Sequence, residues 1–206
     1  MPEEHRKGRP PELDREQIVQ AARSVAVDRG SDSLRFTDVS SAVGVPVSSL
    51  QYVFGTRDSL VREVLRAGVR DELERLRQAV DGEPDPWRRI EKFIRASIAV
   101  DEPDRREGWL LWIEYWRAAT RDPELHQDYI SLARTWRGLV QRAVDDGVHL
   151  GQFTIVGSAE EVAAAIVAIV DGLGLQVEVG DPQMQTARAV RTAIQSVSRI
   201  LRVSGT

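Results

Sequence analysis

Between Thr37 and Phe54 the apolar residues fall into two short helical sets separated by a turn. Val39, Ala42, Val43 and Val45 give the first set an apolar face, and Leu50, Val53 and Phe54 give one to the second. Gly44 suits the positive φ of a tight helix exit, and Pro46 cannot continue the first helix but is tolerated at the start of the second. Thr37 is expected to cap the first helix, its hydroxyl accepting an orphan N–H of the opening turn. The pattern predicts helices over 37–43 and 47–53 joined by three residues. That is the helix-turn-helix layout, whose second helix enters the DNA major groove.

The same periodicity organises the rest of the chain. Ile18, Ala21, Ala22, Val25 and Ala26 predict a helix over 14–28, closed near Arg29-Gly30 and followed by a loop at Ser31-Asp32-Ser33. Leu60, Val61, Val64, Leu65, Val69, Leu73, Leu76 and Val80 mark one side of a long helix over 57–80, which the run Asp81 to Pro86 ends. Its outer side alternates acids and arginines, a pattern that serves solubility. Five more helices are predicted over 87–100, 105–121, 123–146, 159–179 and 182–203. Gln152 to Val156 is β-prone but isolated, and a lone strand has no partner. The chain therefore reads as all-α, with nine helices and no internal repeat.

Composition narrows the chemistry. The 206 residues are 42% hydrophobic and 29% charged, enough for a sizeable core in a water-soluble helical protein. The absence of Cys excludes disulfides and Cys-based zinc sites. His5, His126 and His149 are too widely spaced for a metal site, so neither a metal nor a cofactor is expected. No Gly-rich phosphate loop and no nucleophile beside a histidine argue for an enzyme. The start MPEEHRKGRPPELD has no apolar signal region, and the longest apolar run, Val162 to Val170, is too short to span a bilayer. A cytoplasmic location is expected.

A net charge of −4 speaks against a nonspecific nucleic-acid coat protein but not against a specific reader, which needs only a local basic patch. His5 to Pro10, with Arg35 and Arg57, offers one. The basic arm over 1–12 is either a disordered tail or a segment that orders on DNA. In the second short helix Ser48, Ser49, Gln51 and Tyr52 are neutral hydrogen-bonding groups suited to phosphates and base edges, and Arg57 lies where it can clamp a phosphate. A solvated surface helix of an all-α bundle would carry the same polar positions.

These stretches resemble a known family. IVQAARSVAVDRG, LRFTDVSSAVGVPVSSLQYVF and GTRDSL together resemble the DNA-binding domain of TetR-family transcriptional regulators. That family usually shows Leu-Tyr-x-His-Phe in its recognition helix, and here Gln51 and Val53 replace the Tyr and the His. The resemblance implies a DNA-binding set of Lys7, Arg9, Arg35, Thr37, Val47, Ser48, Ser49, Gln51, Tyr52 and Arg57. It also implies a domain over 13–56 for DNA and one over 57–206 for effector binding and dimerisation, sharing the helix over 57–80. The expected partners are a palindromic double-stranded operator, a second copy of the chain and a small molecule. A helical ligand-binding protein whose helix-turn-helix has lost DNA binding is the alternative.

The C-terminal half carries a second pattern. Trp109, Trp112 and Trp116 fall within eight residues with Tyr115 beside them, Trp136 is on the next long helix, and Phe93 on the one before. Such aromatics form either a large core or the wall of a pocket. Asp171 interrupts an apolar run, so it is either paired in the core or faces a cavity. WLLWIEYWRAATRDPEL, the later Trp136-Arg137, GVHLGQF and IVDGLGL resemble the effector domain of the choline-responsive (BetI-like) branch of the same family. The expected ligand-binding set is Phe93, Trp109, Trp112, Tyr115, Trp116, Trp136 and Asp171, with Glu114 as a second candidate charge. A cationic amine or polyamine suits aromatic faces beside a carboxylate. A flat apolar or aromatic ligand fits the same residues. The Ala- and Val-rich helix over 159–179 is apolar on most sides, and with the helix over 182–203 it is expected to form a homodimer interface.

Overall fold

The computed structural model describes residues 15–98 and 102–203, all in helices and connecting turns with no strand among them. The helices are α1 (Arg15–Arg29), α2 (Phe36–Val43), α3 (Val47–Phe54), α4 (Arg57–Val80), α5 (Pro86–Ile98), α6 (Glu102–Ala119), α7 (Pro123–His149), α8 (Ala159–Glu178) and α9 (Thr186–Leu201). Lys7 and Arg9 of the basic arm lie outside the described residues. The chain divides into two compact units at Gly68 and Val69, inside α4 rather than at its start.

The first unit is built around one apolar cluster. Ile18, Ala22 and Ala26 of α1, Val39 of α2, Leu50 and Phe54 of α3 and Leu60 and Val64 of α4 are all buried in it, with Leu34 and Val45 from the connecting segments. Each large side chain so buried contributes about 1.5–3 kcal/mol relative to exposure. Gly44 closes α2 at φ 69°, the left-handed conformation that lacks a Cβ penalty only in glycine.

The start of α2 differs from expectation. Thr37 is not its cap: the helix begins at Phe36 and the capping position is Arg35. The Asp38 carboxylate accepts the Arg35 backbone N–H at 3.2 Å, so an acid three residues into the helix does the work expected of the Thr37 hydroxyl. Ser31–Ser33, expected as a loop, is one 3₁₀ turn.

In the second unit α7 packs against α8, α6 and α5, and α9 against α8 and α5. Three of these helices start on side-chain caps, the first being α5, where the Asp85 carboxylate accepts the Arg88 N–H at 2.8 Å. The Asp122 carboxylate accepts the N–H groups of Glu124 (2.9 Å) and Leu125 (3.3 Å) at the head of α7. Ser158 and Glu161 form a reciprocal capping box at the head of α8. That pairing also holds the Glu161 carboxyl below its usual range, through the Ser158 backbone N–H first and its hydroxyl second.

Several boundaries shift for identifiable reasons. α7 runs through Gly147, where the break was expected, because Gly147 is there for packing: a Cβ on it would stand 2.1 Å from the Phe153 ring. Phe153 is thereby buried, and Gln152 to Val156 is an irregular connection instead of a strand, with Val156 exposed. α6 begins at Glu102, three residues early, with Pro103 in its first turn, where proline is tolerated. α9 begins at Thr186, four residues late, after turns over Asp181 to Met184. No described helix is long and apolar enough to cross a membrane.

Candidate functional site

Two surfaces hold the residues singled out by the sequence. The first is the outer face of α3. Leu50 and Phe54 anchor that helix inward. The opposite stripe presents Ser48, Gln51 and Tyr52 to solvent, with Val47 and Ser49 half-buried beside them. Tyr52 is 93% exposed, an unusual setting for so large a ring. Arg35 and Thr37 are exposed as well.

Arg57 has a different setting. Its Nε donates to the Leu34 carbonyl at 2.9 Å, one Nη to the Ser31 carbonyl at 2.7 Å, and the other Nη to the Asp58 carboxylate at 3.0 Å. It staples the segment before α2 to the head of α4. Arg35 is partly engaged in the same way, donating to the carbonyls of Asp32 (2.8 Å) and Leu34 (3.2 Å). The far end of α3 is held by Arg15, which pairs with Glu63 at 2.5 Å and lies 4.9 Å from the centre of the Phe54 ring. No residue pattern along the chain signals this clamp, because it depends on where α1 and α4 meet.

The second surface is a cavity of about 340 Å³ in the second unit. Its size is at the low end of small-molecule sites, roughly 300–1,000 Å³. α6 contributes Trp109, Trp112 and Trp116, and α7 contributes Tyr129, Ile130, Ala133, Trp136 and Arg137. α8 contributes Ala164, Val167, Ala168 and Asp171, while Glu72 of α4 and Ser97 of α5 complete the lining. Each set follows helical spacing, so three helices present one face apiece.

Four indole rings make the aromatic part. Trp112 meets Trp136 edge-on at 5.2 Å between centres, and Trp116 at 5.7 Å with a tilt of 39°. Trp109 meets Trp116 at 6.3 Å and 68°. Rings steeply inclined to one another turn faces in more than one direction, as the walls of a box do. Trp109 is fixed from two sides: its Nε1 donates to the Ser97 carbonyl at 3.2 Å, and its ring lies against Gly174, where a Cβ would stand 1.9 Å from it. The buried Nε1 groups of Trp112 and Trp136 and the Ser97 hydroxyl have no hydrogen-bond partner among the described residues. Each such group costs about 1–3 kcal/mol, so this region is not optimised for stability alone.

Phe93 and Tyr115, expected in the lining, are behind it. Phe93 packs edge-on against Trp136 at 5.8 Å, and Tyr115 is fully buried with its hydroxyl donating to the Leu125 carbonyl at 3.1 Å. Glu114 is likewise outside the lining and accepts from Arg117 at 2.9 Å. Sequence reading missed Glu72, Ser97, Tyr129, Ile130, Ala133, Arg137, Ala164, Val167 and Ala168. For those on α7 and α8, stepping three or four residues along the helix from Trp136 or Asp171 reaches the lining face.

The charges of the lining are unequal in their surroundings. Glu72 accepts from both Nε (2.9 Å) and Nη2 of Arg75, which also donates to the Ala96 carbonyl at 2.9 Å. Asp171 has no ion pair or hydrogen bond among the described residues, and burial raises its carboxyl to a pKa of about 6. At neutral pH it is mostly ionised and uncompensated.

Residues 86–202, more than half the chain and all the helices of this cavity except α4, match the family described as "BetI-type transcriptional repressor, C-terminal". The chain belongs to that family. BetI-type repressors couple a helix-turn-helix to an effector domain, and this chain is accordingly a DNA-binding transcriptional repressor with an effector site. It is 24% identical over 195 residues to the HTH-type transcriptional regulator BetI of Rhizobium meliloti strain 1021, covering 93% of this chain and 91% of that one. The BetI of Paraburkholderia xenovorans is 21% identical, with 92% and 94% covered. Among solved structures, a transcriptional regulator from Saccharomonospora viridis in complex with choline has the same fold, with a TM-score of 0.81 at 21% identity over 89% of this chain and 94% of that one. A Rhodococcus regulator gives 0.76 at 23% identity, with 91% and 95% covered.

Proposed function

We propose that this BetI-type repressor binds a quaternary or otherwise alkylated ammonium ion in the cavity and leaves its operator when it does. The observation that carries the reading is the pairing of four indole rings with one uncompensated carboxylate, Asp171, in the same lining. A ring face attracts a cation through its quadrupole, by about 0.5–2 kcal/mol per ring, and alkylated ammonium groups lose little hydration when they enter an aromatic box. A neutral aromatic ligand would leave the Asp171 charge buried against it, which costs free energy. The choline held by the Saccharomonospora viridis regulator is of the same chemical class.

On the DNA side, Ser48, Gln51 and Tyr52 are the side chains best placed to reach base edges and phosphates, with Val47 and Ser49 nearer the helix anchor. Thr37 keeps its hydroxyl for a phosphate because Asp38 has taken over the cap. Arg35 retains an exposed guanidinium, whereas Arg57 acts by holding the segment before α2. Lys7 and Arg9 would add phosphate contacts from the arm. Coupling runs through α4, which supplies Leu60 and Val64 to one core and Glu72 to the cavity lining. A ligand shifts the equilibrium only by its preference for the DNA-incompetent state.

The test is fluorescence polarisation with a duplex taken from the DNA flanking the gene, a scrambled control, varied salt and added choline. The expected result is specific, salt-sensitive binding that choline weakens at least tenfold. Specific binding unaffected by choline or any alkylammonium would overturn the effector assignment. No binding at low salt to any genomic site selected would point to a helix-turn-helix that has lost its DNA.

A further inference from the structure

The cavity has room, and a second charge, that a simple ammonium ion does not use. Choline has seven heavy atoms, and even at a water molecule's share of liquid, roughly 30 Å³ each, they fill only about 210 Å³. The cavity measures about 340 Å³. Its charged lining is not uniformly negative. The Glu72 carboxylate is balanced by Arg75. That leaves the Asp171 carboxylate and, on α7, the Arg137 guanidinium. Arg137 is exposed, its Nε donates to the Ala133 carbonyl at 3.2 Å, and no partner for either Nη is found among the described residues.

One carboxylate without a partner and one guanidinium without a counter-charge among the described residues, in the lining of a single cavity, complement a ligand that is itself a dipole. We propose that the effector is a zwitterion, with its quaternary ammonium group among the indole rings beside Asp171 and its anionic oxygens at Arg137. This rests on the ammonium reading of the cavity and narrows it. A guanidinium fork matches the paired oxygens of a carboxylate or a phosphate, so both anionic ends share the required chemistry. A ligand carrying only the cation leaves Arg137 to solvent, and one carrying only the anion leaves Asp171 unpaired.

The experiment is calorimetric titration of the full-length protein with choline, phosphocholine and carnitine. The expected result is that at least one zwitterion binds about fivefold or more tightly than choline, the scale of one solvent-exposed charge pair. A lead for phosphocholine assigns the phosphate end, and a lead for carnitine the carboxylate. In Arg137→Gln the ratio of zwitterion to choline affinity should fall to near one, and in Arg137→Lys it should recover in part. Choline binding as tightly as both zwitterions, or a ratio that survives Arg137→Gln, would overturn the zwitterion and leave the ammonium reading standing. If none of the three binds the parent protein, both readings fall together.

Discussion

Asp171 is the residue through which solution pH reaches the cavity. Burial raises its carboxyl to about 6, while in the unfolded chain it sits near the ordinary aspartate value of 3.8. Tyr129 and Arg137 of α7 and Glu72 of α4, the last neutralised by Arg75, are the other titratable or charged groups of the lining. Choline affinity should therefore rise as pH climbs through 6, by about tenfold between pH 5 and pH 7.5, and Asp171→Asn should bind weakly with no such dependence. In the unliganded protein the folded state holds the proton more tightly, so stability should fall as pH rises from about 4 to 6. Urea melts across that range should show the slope in the parent protein and a flatter line in Asp171→Asn. Identical pH curves for both proteins would remove Asp171 as the counter-charge. Gly174 gives a steric counterpart. In Gly174→Ala the new methyl must displace the Trp109 ring, at a cost of about 1–3 kcal/mol from overpacking. Calorimetry should show choline affinity down about tenfold, and a melt should show a lower midpoint. The tryptophans were legible in the sequence because four fall on two predicted helices at compatible spacing. Glu72 was not, and Arg137 was legible only as part of the family resemblance and not as lining, since a surface-type residue becomes part of a wall only through the way helices meet.

At the scale of elements, Arg57 decides how α2 and α3 are presented. Its guanidinium holds the carbonyls of Ser31 and Leu34, so its removal should loosen the segment that leads into α2. Arg57→Ala is expected to lower operator affinity about tenfold and to leave the salt slope of binding unchanged. A phosphate contact behaves differently: its loss reduces that slope by about one. Polarisation titrations at several salt concentrations separate the two roles, and a reduced slope would return Arg57 to the phosphate. The helices themselves were largely readable from apolar periodicity, because each buries one stripe. Their ends were less so. Thr37 had the right chemistry for a cap, yet Asp38 reached back to the Arg35 N–H from the third helical position. Gly147 looked like a stop, yet it is a seat for Phe153. Both outcomes depend on contacts or local geometry that residue type alone leaves open.

For the whole molecule, the question is what covers α8. Val162, Ala163, Ile166 and Val170 of that helix are buried within the chain, but Ala165, Gly172 and Leu175 remain exposed along another side, as does the cap residue Val179, at 69%. The apolar stripe of α9 has turned inward: Ala189, Val190, Ala193, Val197 and Leu201 are buried, and only Ile194 and Ile200 are left half-covered. The homodimer expected from the sequence would therefore rest on α8 more than on α9, with the small residues Ala165 and Gly172 letting two copies approach closely. A two-fold pair also answers an affinity problem, because a single helix-turn-helix buries too little surface for tight operator binding, whereas two read half-sites one helical turn apart, about 34–36 Å. A charge placed in that face should separate the subunits without disturbing the cavity, whose α8 residues end at Asp171. Leu175→Asp combined with Val179→Asp is expected to give a monomer of about half the parent mass by light scattering. That monomer should bind the operator at least a hundredfold more weakly, since each half-site contact then acts alone. A doubly substituted protein that still sedimented as a dimer would place the interface on another face.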